Sequence, residues 1–422
     1  MAFASFLFLV TSSDSTAQQC ALNFLEESQY LAEGGTWSVT LGDLDGDGDF
    51  DSVTAHSFTD DVTVLLNNGD GTFTQGQKYG VGDDPRSVSL GDLDDDNDLD
   101  MVVANARSNT VSILYNLGNG TFAAMLSYPV GVFPESAVLG DFDSDGDIDI
   151  VVANGGSDNT SVLLNNGDGT FFIGLQSDLG NGPISVIAGD VNLDGYLDLI
   201  VANAVDNDVS VLMNNGTGET FSRQDYGTGD FPEFVVLGDL DDDGDLDIAT
   251  ANFQGGDVSV LLNSGLGAFE AEQRYVINGG QFSSVALGDL DGDGDLDLVA
   301  ADEWYGLINI LLNDGGGVFI DYQKASMTDR PYALALADLD SDSDLDIVVG
   351  SRSSNHVGVL LNSCTQTCSV DFTGDGSLDI FDVFAFLDAF NAMDPVADFT
   401  GDGVLDIFDV FGFLDAFNAG CP

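Results

Sequence analysis

Hydrophobic residues in this chain come in short bursts. Between residues 85 and 129 they form SVSL (87–90), MVVA (101–104), VSILY (111–115) and TFAAML (121–126). SVSL alternates, as a strand with one buried face does, and MVVA is continuous, as a strand buried on both faces is. NLGNG (116–120) carries the Asn and Gly residues of a tight turn, and the same turn reads NNGDG at 67–71 and 165–169. The pattern predicts four short antiparallel strands, with an acidic loop between the first and second.

That acidic loop recurs. It reads GDLDGDGDFD at 42–51, DLDDDNDLD at 92–100, DFDSDGDID at 141–149 and DVNLDGYLD at 190–198. It continues as DLDDDGDLD at 239–247, DLDGDGDLD at 289–297 and DLDSDSDLD at 338–346. The first aspartates are spaced by 49, 49, 49, 49, 50 and 49 residues. A fixed period of this length is the mark of a repeat architecture. Four strands, seven times over, predict a mainly β fold, a seven-bladed β-propeller. An open solenoid is the alternative. The chain ends favour closure. The last repeat stops after VGVLLNSC (357–364), and NFLEESQYLAEGG (23–35) matches the outer strand and exit loop TFTQGQKYGVGDD (72–84). An N-terminal strand at 23–33 would complete the last blade and remove an exposed sheet edge.

Charge sharpens the picture. The 422 residues include 73 acidic and 8 basic ones, a formal charge of −65, with 44% hydrophobic residues. That hydrophobic share is too high for an acidic disordered chain. Nucleic acid is excluded as a partner because a basic phosphate-binding surface is missing. The acidic loops need a cation to offset their mutual repulsion. In D-x-D-x-D-G-x-x-D, positions 1, 3, 5 and 9 offer side-chain oxygens and position 7 its backbone carbonyl, a hard oxygen shell suited to calcium. The candidate ligands at positions 1, 3, 5, 7 and 9 are Asp43, Asp45, Asp47, Asp49 and Asp51, then Asp92, Asp94, Asp96, Asp98 and Asp100. The third and fourth loops offer Asp141, Asp143, Asp145, Asp147 and Asp149, and Asp190, Asn192, Asp194, Tyr196 and Asp198. The last three offer Asp239, Asp241, Asp243, Asp245 and Asp247; Asp289, Asp291, Asp293, Asp295 and Asp297; and Asp338, Asp340, Asp342, Asp344 and Asp346. No histidine or cysteine lies in these loops, which argues against zinc and copper. Magnesium demands tighter octahedral geometry.

Residues 23–363 resemble the FG-GAP/VCBS repeat family, whose integrin-like propellers bind calcium in this loop. Three positions depart from the pattern. Asn97 and Ser343 replace the glycine of the left-handed turn, and Asn192 is a neutral ligand.

The tail (368–422) holds a duplication of period 27. Its first loop offers Asp371, Thr373, Asp375, Ser377 through its carbonyl, Asp379 and Asp382. Its second offers Asp398, Thr400, Asp402, Val404 through its carbonyl, Asp406 and Asp409. Gly376 and Gly403 stand where an EF-hand loop turns. A helix follows each loop, with Ile380, Val383, Phe384, Leu387 and Phe390 predicted on one face and Ile407, Val410, Phe411, Leu414 and Phe417 repeating it. This segment resembles a dockerin, a duplicated calcium-loop-and-helix module that docks a protein to a partner, in the variant ending Gly-Cys. Calcium sites would then number up to nine. Positions 10 and 11 are Ile380-Phe381 and Ile407-Phe408, unlike the small polar pairs used for cohesin recognition. Phe381 and Phe408 would either meet a cohesin-like or surface-anchoring partner or fill the module's own core.

The start of the chain, with its apolar stretch Ala2 to Val10, resembles a secretory signal ending near Ala17. A propeller over 18–363 and a module over 364–422 would follow. No segment is long enough to cross a bilayer as a helix. Four cysteines allow three pairings. Cys20 and Cys364 fall where other blades have their tight turn, so Cys20–Cys364 and Cys368–Cys421 are the expected disulfides, consistent with a secreted or cell-surface location.

Chain parity puts Arg86, Arg107, Arg330 and Arg352 in loops at the end opposite the acidic loops, with Trp37 and His56 in equivalent places between them. They either offset local carboxylates or line a pocket for an anionic ligand such as an acidic glycan. No nucleophile elbow, zinc motif, phosphate loop or triad spacing is present. The sequence thus reads as an exported, calcium-loaded propeller that binds an extracellular protein or glycan. A polysaccharide lyase or hydrolase, and an inert spacer, are the rival classes.

Overall fold

The structure, a computed structural model, describes residues 22–32, 34–218, 221–277, 280–363, 370, 372–373, 380–393, 397, 399, 405 and 407–419. The leader reading and the four cysteines lie outside the described residues, as do all tail-loop ligands except Thr373, Asp382 and Asp409.

Residues Phe24–Ser363 form one compact unit of seven four-stranded antiparallel sheets. Blade one is typical: an inner strand Thr36–Gly42, then Asp51–His56, Asp61–Asn67 and an outer strand Phe73–Gly80. The second strand is buried at every position, because sheets cover both of its faces. The outer strand is mostly exposed, and its sequence, FTQGQKYG, is accordingly polar. Inner strands of successive blades pack side by side around an axis, and the ring closes where Pro331–Ala337 meets Thr36–Gly42.

Closure uses the N-terminal strand. Ser28–Leu31 pairs antiparallel with His356–Leu360, and Phe24 bridges Asn362. This strand repeats the chemistry of the other outer strands. Tyr30 packs edge-on against Phe73 of the next blade at 5.4 Å, as Tyr79 does against Phe122 and Tyr226 against Phe269. The segment predicted to supply the missing strand therefore does so, and the solenoid alternative falls.

The tail contributes two helices, α1 (Ile380–Asn391) and α2 (Ile407–Ala419). Phe386 and Phe413, 27 positions apart, stack at 4.1 Å and are fully buried with Val370 and Ala397. The predicted helix face needs correction. Val383, Leu387 and Phe390 do pack on this core. Ile380 and Phe384 are exposed, as are Ile407, Phe411 and Leu414. The core stripe is rotated toward Phe386 and Phe413, because aromatic stacking between the two repeats governs the packing.

Candidate functional site

The acidic loops occupy one end of the axis, since each begins where an inner strand ends. Position 6 has positive φ in every loop: Gly48, Asn97, Gly146, Gly195, Gly244, Gly294 and Ser343. Asn97 and Ser343 thus adopt the glycine conformation. Position 4 is also left-handed throughout, from Gly46 (φ 77°) to Ser341 (φ 62°). This double turn aims the loop's own N–H groups at its first carboxylate. Asp43 accepts from Gly46 and Gly48 at 2.8 and 3.1 Å, and Asp338 from Asp342 and Ser343 at 3.2 and 3.0 Å.

Position 9 has a different role. Asp51, Asp100, Asp149, Asp198, Asp247, Asp297 and Asp346 are buried. Each accepts one N–H from position 2 of its own loop and one from the asparagine at the end of its third strand or two residues past it. In blade two these are Leu93 at 3.0 Å and Asn116 at 2.7 Å. The same asparagine reaches back to the preceding blade. Asn116 donates to the Leu44 carbonyl, Asn165 to Leu93, Asn214 to Phe142 and Asn263 to Val191. Asn313 donates to Leu240, Asn362 to Leu290 and Asn67 to Leu339, which completes the circle. Burial pushes the position 9 carboxyls up to about 7, or about 6 for Asp198, against the opposing pull of these backbone hydrogen bonds.

Position 3 carries the sharpest signal. Asp45, Asp94, Asp143, Asp241 and Asp340 each have a buried Oδ1 with no hydrogen-bond partner. Burial and neighbouring carboxylates raise their pKa values. Five repeats of one orphaned acceptor is a pattern, and a buried acceptor left unmatched costs about 1–3 kcal/mol or more when charged. Carboxylates converge at these loops, with ligand atoms within 4.8 Å of one another in sets such as Asp43, Asp45 and Asp51, and Asp239, Asp241 and Asp247. The donors are all oxygens, as a divalent hard cation requires.

The opposite end of the axis opens into a pocket lined by all seven inner strands. Every inner strand has a register shift at its second residue. Such a bulge re-aims a side chain. The residues so placed are Trp37, Arg86, Glu135, Ile184, Glu233, Ser283 and Tyr332, and all line the pocket. The cavity they line is about 80 Å³ and opens to solvent.

The structure brings together Trp37, Arg86 and Arg352, three of the residues singled out from sequence. The guanidiniums of Arg86 and Arg352 lie 3.6 and 4.0 Å from the Trp37 ring centroid, and Arg352 also sits 4.4 Å from Tyr332. Arg86 is held by both oxygens of Asp84, at 3.1 and 2.8 Å. Arg107 pairs with the same Asp84 at 3.3 Å, its side chain mostly in solvent. Arg330 is exposed and does not line the pocket. His56 is a correction. It is fully buried, hydrogen-bonded to Thr36, Thr54 and Thr63, and burial lowers its pKa to about 4, so it is a neutral core residue. Sequence reasoning missed Glu135, Glu233 and Tyr332. The available signal was the second residue of TWSV, PRSV, PESA, PISV, PEFV, FSSV and PYAL, which varies while its surroundings repeat.

These features define a closed seven-bladed β-propeller whose repeats each carry a carboxylate-rich loop. The FG-GAP-like repeat model matches residues 43–103, 92–152, 141–201, 190–250, 239–300 and 289–349. The chain belongs to this FG-GAP-like repeat family. Among solved structures, BBS1N in complex with ARL6DN is similar in fold. The lead-soaked crystal gives 13% identity, TM-score 0.57 and coverage of 84% of this chain and 98% of that one. The mercury-soaked crystal gives 14%, 0.59, 83% and 98%. An Agrocybe aegerita lectin that recognises non-reducing terminal N-acetylglucosamine gives 21% identity and a TM-score of 0.48 over 78% of this chain and 86% of that one. No curated protein matches the chain.

Proposed function

We propose that the chain is an exported binding propeller whose acidic loops hold calcium, attached to a surface or assembly by a dockerin-like tail. The observation that carries the calcium reading is the orphaned position 3 oxygen, repeated in five blades. Positions 1, 3, 5 and 9 would supply carboxylates and position 7 a carbonyl. The ion would supply charge neutralisation, and extracellular modules of this kind work at Kd of about 10⁻⁴–10⁻³ M. Calorimetric titration of the chelated chain should show calcium binding at multiple sites. Absence of binding would overturn the reading.

Two observations support the tail reading. Asp382 and Asp409, position 12 of each loop, are fully buried, and Thr373 donates to Asp382 through its N–H and hydroxyl at 3.0 and 2.9 Å. Phe381 is exposed beside Ile380 and Phe384, an apolar surface available to a partner. A Phe381→Ala/Phe408→Ala variant should lose surface attachment. Undiminished attachment would count against docking through these residues. Among the described residues no helix is long and apolar enough to cross a membrane.

A further inference from the structure

Glu233 lines the axial pocket, is 9% exposed and leaves its Oε2 without a hydrogen-bond partner. Its Oε1 accepts from the buried Tyr332 hydroxyl at 2.8 Å. Ser284, 1% exposed and also in the lining, has an unpartnered Oγ. Glu135 completes the acidic side, with Arg86 no closer than 3.9 Å. The cationic side is already engaged. Arg86 is clamped by Asp84, both Arg86 and Arg352 stack on Trp37, and Arg352 pulls on Glu135 and Glu233 through its charge. No charged donor, Arg86 of the lining included, reaches Glu233 Oε2.

We propose that the axial pocket binds a primary ammonium group, with Glu233 as its counter-ion and Ser284 as a second acceptor. This rests on the reading of the propeller as a binding module and gives that module a ligand class. Charge supports it. Asp84, Glu135 and Glu233 face Arg86 and Arg352, and Glu303 adds to the negative field at Glu233. Burial pushes Glu135 and Glu233 up to about 7, since desolvation outweighs the opposing pull of the nearby arginines, so a cation placed beside them would favour their ionised forms. An ionised carboxylate in such a place needs a paired cation. Ile184 and Phe234 offer apolar contact for the carbon next to the nitrogen. A cavity of about 80 Å³ admits an ammonium head group with its neighbouring carbons, and its mouth opens to solvent. An acidic glycan, by contrast, would add a third anion beside two buried carboxyls.

The test uses the full chain, saturated with calcium, at pH 8. n-Butylammonium chloride and n-butanol are titrated by calorimetry or by NMR, and the comparison is repeated with glucosamine and Nα-acetyl-lysine methylamide. n-Butylammonium should bind saturably and n-butanol should not. The tighter of the two larger probes distinguishes an amino sugar from a lysine side chain as the source. Glu233→Gln should weaken ammonium binding by about tenfold or more, the worth of one charge-assisted hydrogen bond. Ser284→Ala should weaken it several-fold, and it carries the test should Glu233→Gln not fold. Equal binding of n-butanol, an unchanged affinity in both variants, or no ammonium binding would overturn the proposal. Calcium binding, measured on the same samples, separates its failure from failure of the calcium reading.

Discussion

The two ends of the propeller axis are made by the same repeat and use it in opposite ways. At the acidic end each blade makes the same contacts: an N–H clamp on the first carboxylate, a buried aspartate at position 9 and an asparagine reaching the preceding blade. At the other end the same bulge places a different side chain in each blade, from Trp37 to Tyr332. Identity around a ring gives a closed circuit in which every blade supports its neighbour. Difference around a ring gives an asymmetric pocket, which is what recognition of a small ligand requires. The lesson is that repetition here builds the scaffold, and the departures from repetition carry specificity.

Chelation should separate the two ends most strongly. Each propeller site filled at tenfold above its Kd contributes about 1.4 kcal/mol, so removing calcium from seven sites should lower the melting temperature by about 10–15 °C. A melting curve unmoved by chelator would remove cation binding from the account of the acidic end. Next in size is Asp100→Ala. It strands the Leu93 and Asn116 N–H groups and should cost about 2–5 kcal/mol by denaturant unfolding in saturating calcium. A loss below about 1 kcal/mol would mean that position 9 is a ligand only. Asn116→Ala breaks one link of the inter-blade circle and should cost about 1–3 kcal/mol. An equal cost with and without calcium would show the circle to be independent of the ions.

The smallest expected effect belongs to the pocket. Glu135 and Glu233 have pKa values raised from 4.5 to about 7 by burial. The folded state therefore binds more protons than the unfolded state between those values. Stability is fully present below about 4.5 and falls as pH rises through about 7. In calcium-saturated protein, Glu135→Gln/Glu233→Gln should flatten the decline in melting temperature between pH 5 and 8 relative to the parent, by a few degrees. Parallel profiles for parent and variant would place the pH-sensitive groups elsewhere.

Much of this molecule was legible along the chain. Strand count, blade number, the acidic loops and the closing strand all follow from a 49-residue period, because a periodic sequence can bury its strands only by packing like against like. The left-handed turn at position 6 was legible from Gly48 and its equivalents, and Asn97 and Ser343 obey it. The double role of the loops was not. Position 9 looks like any other aspartate in a D-x-D run, yet Asp100 is buried and holds Asn116, whose amide crosses to another blade. A contact that joins residues 72 positions apart leaves no local mark. The tail shows the same limit, since apolar periodicity placed the core on Phe384 when the stacking partner selected Phe386.

The sequence by itself determined the number of blades, the placement of carboxylates on one end and the match between the N-terminal segment and the missing outer strand. These are matters of spacing, and spacing is written in one dimension. Only the tertiary structure decided which carboxylates are buried, that His56 is a core residue, and that Glu233 meets Tyr332 across 99 positions in a pocket none of the repeats forms alone. Ring closure brings seven second residues around one axis, and burial there, rather than residue type, sets which charges are left without a partner.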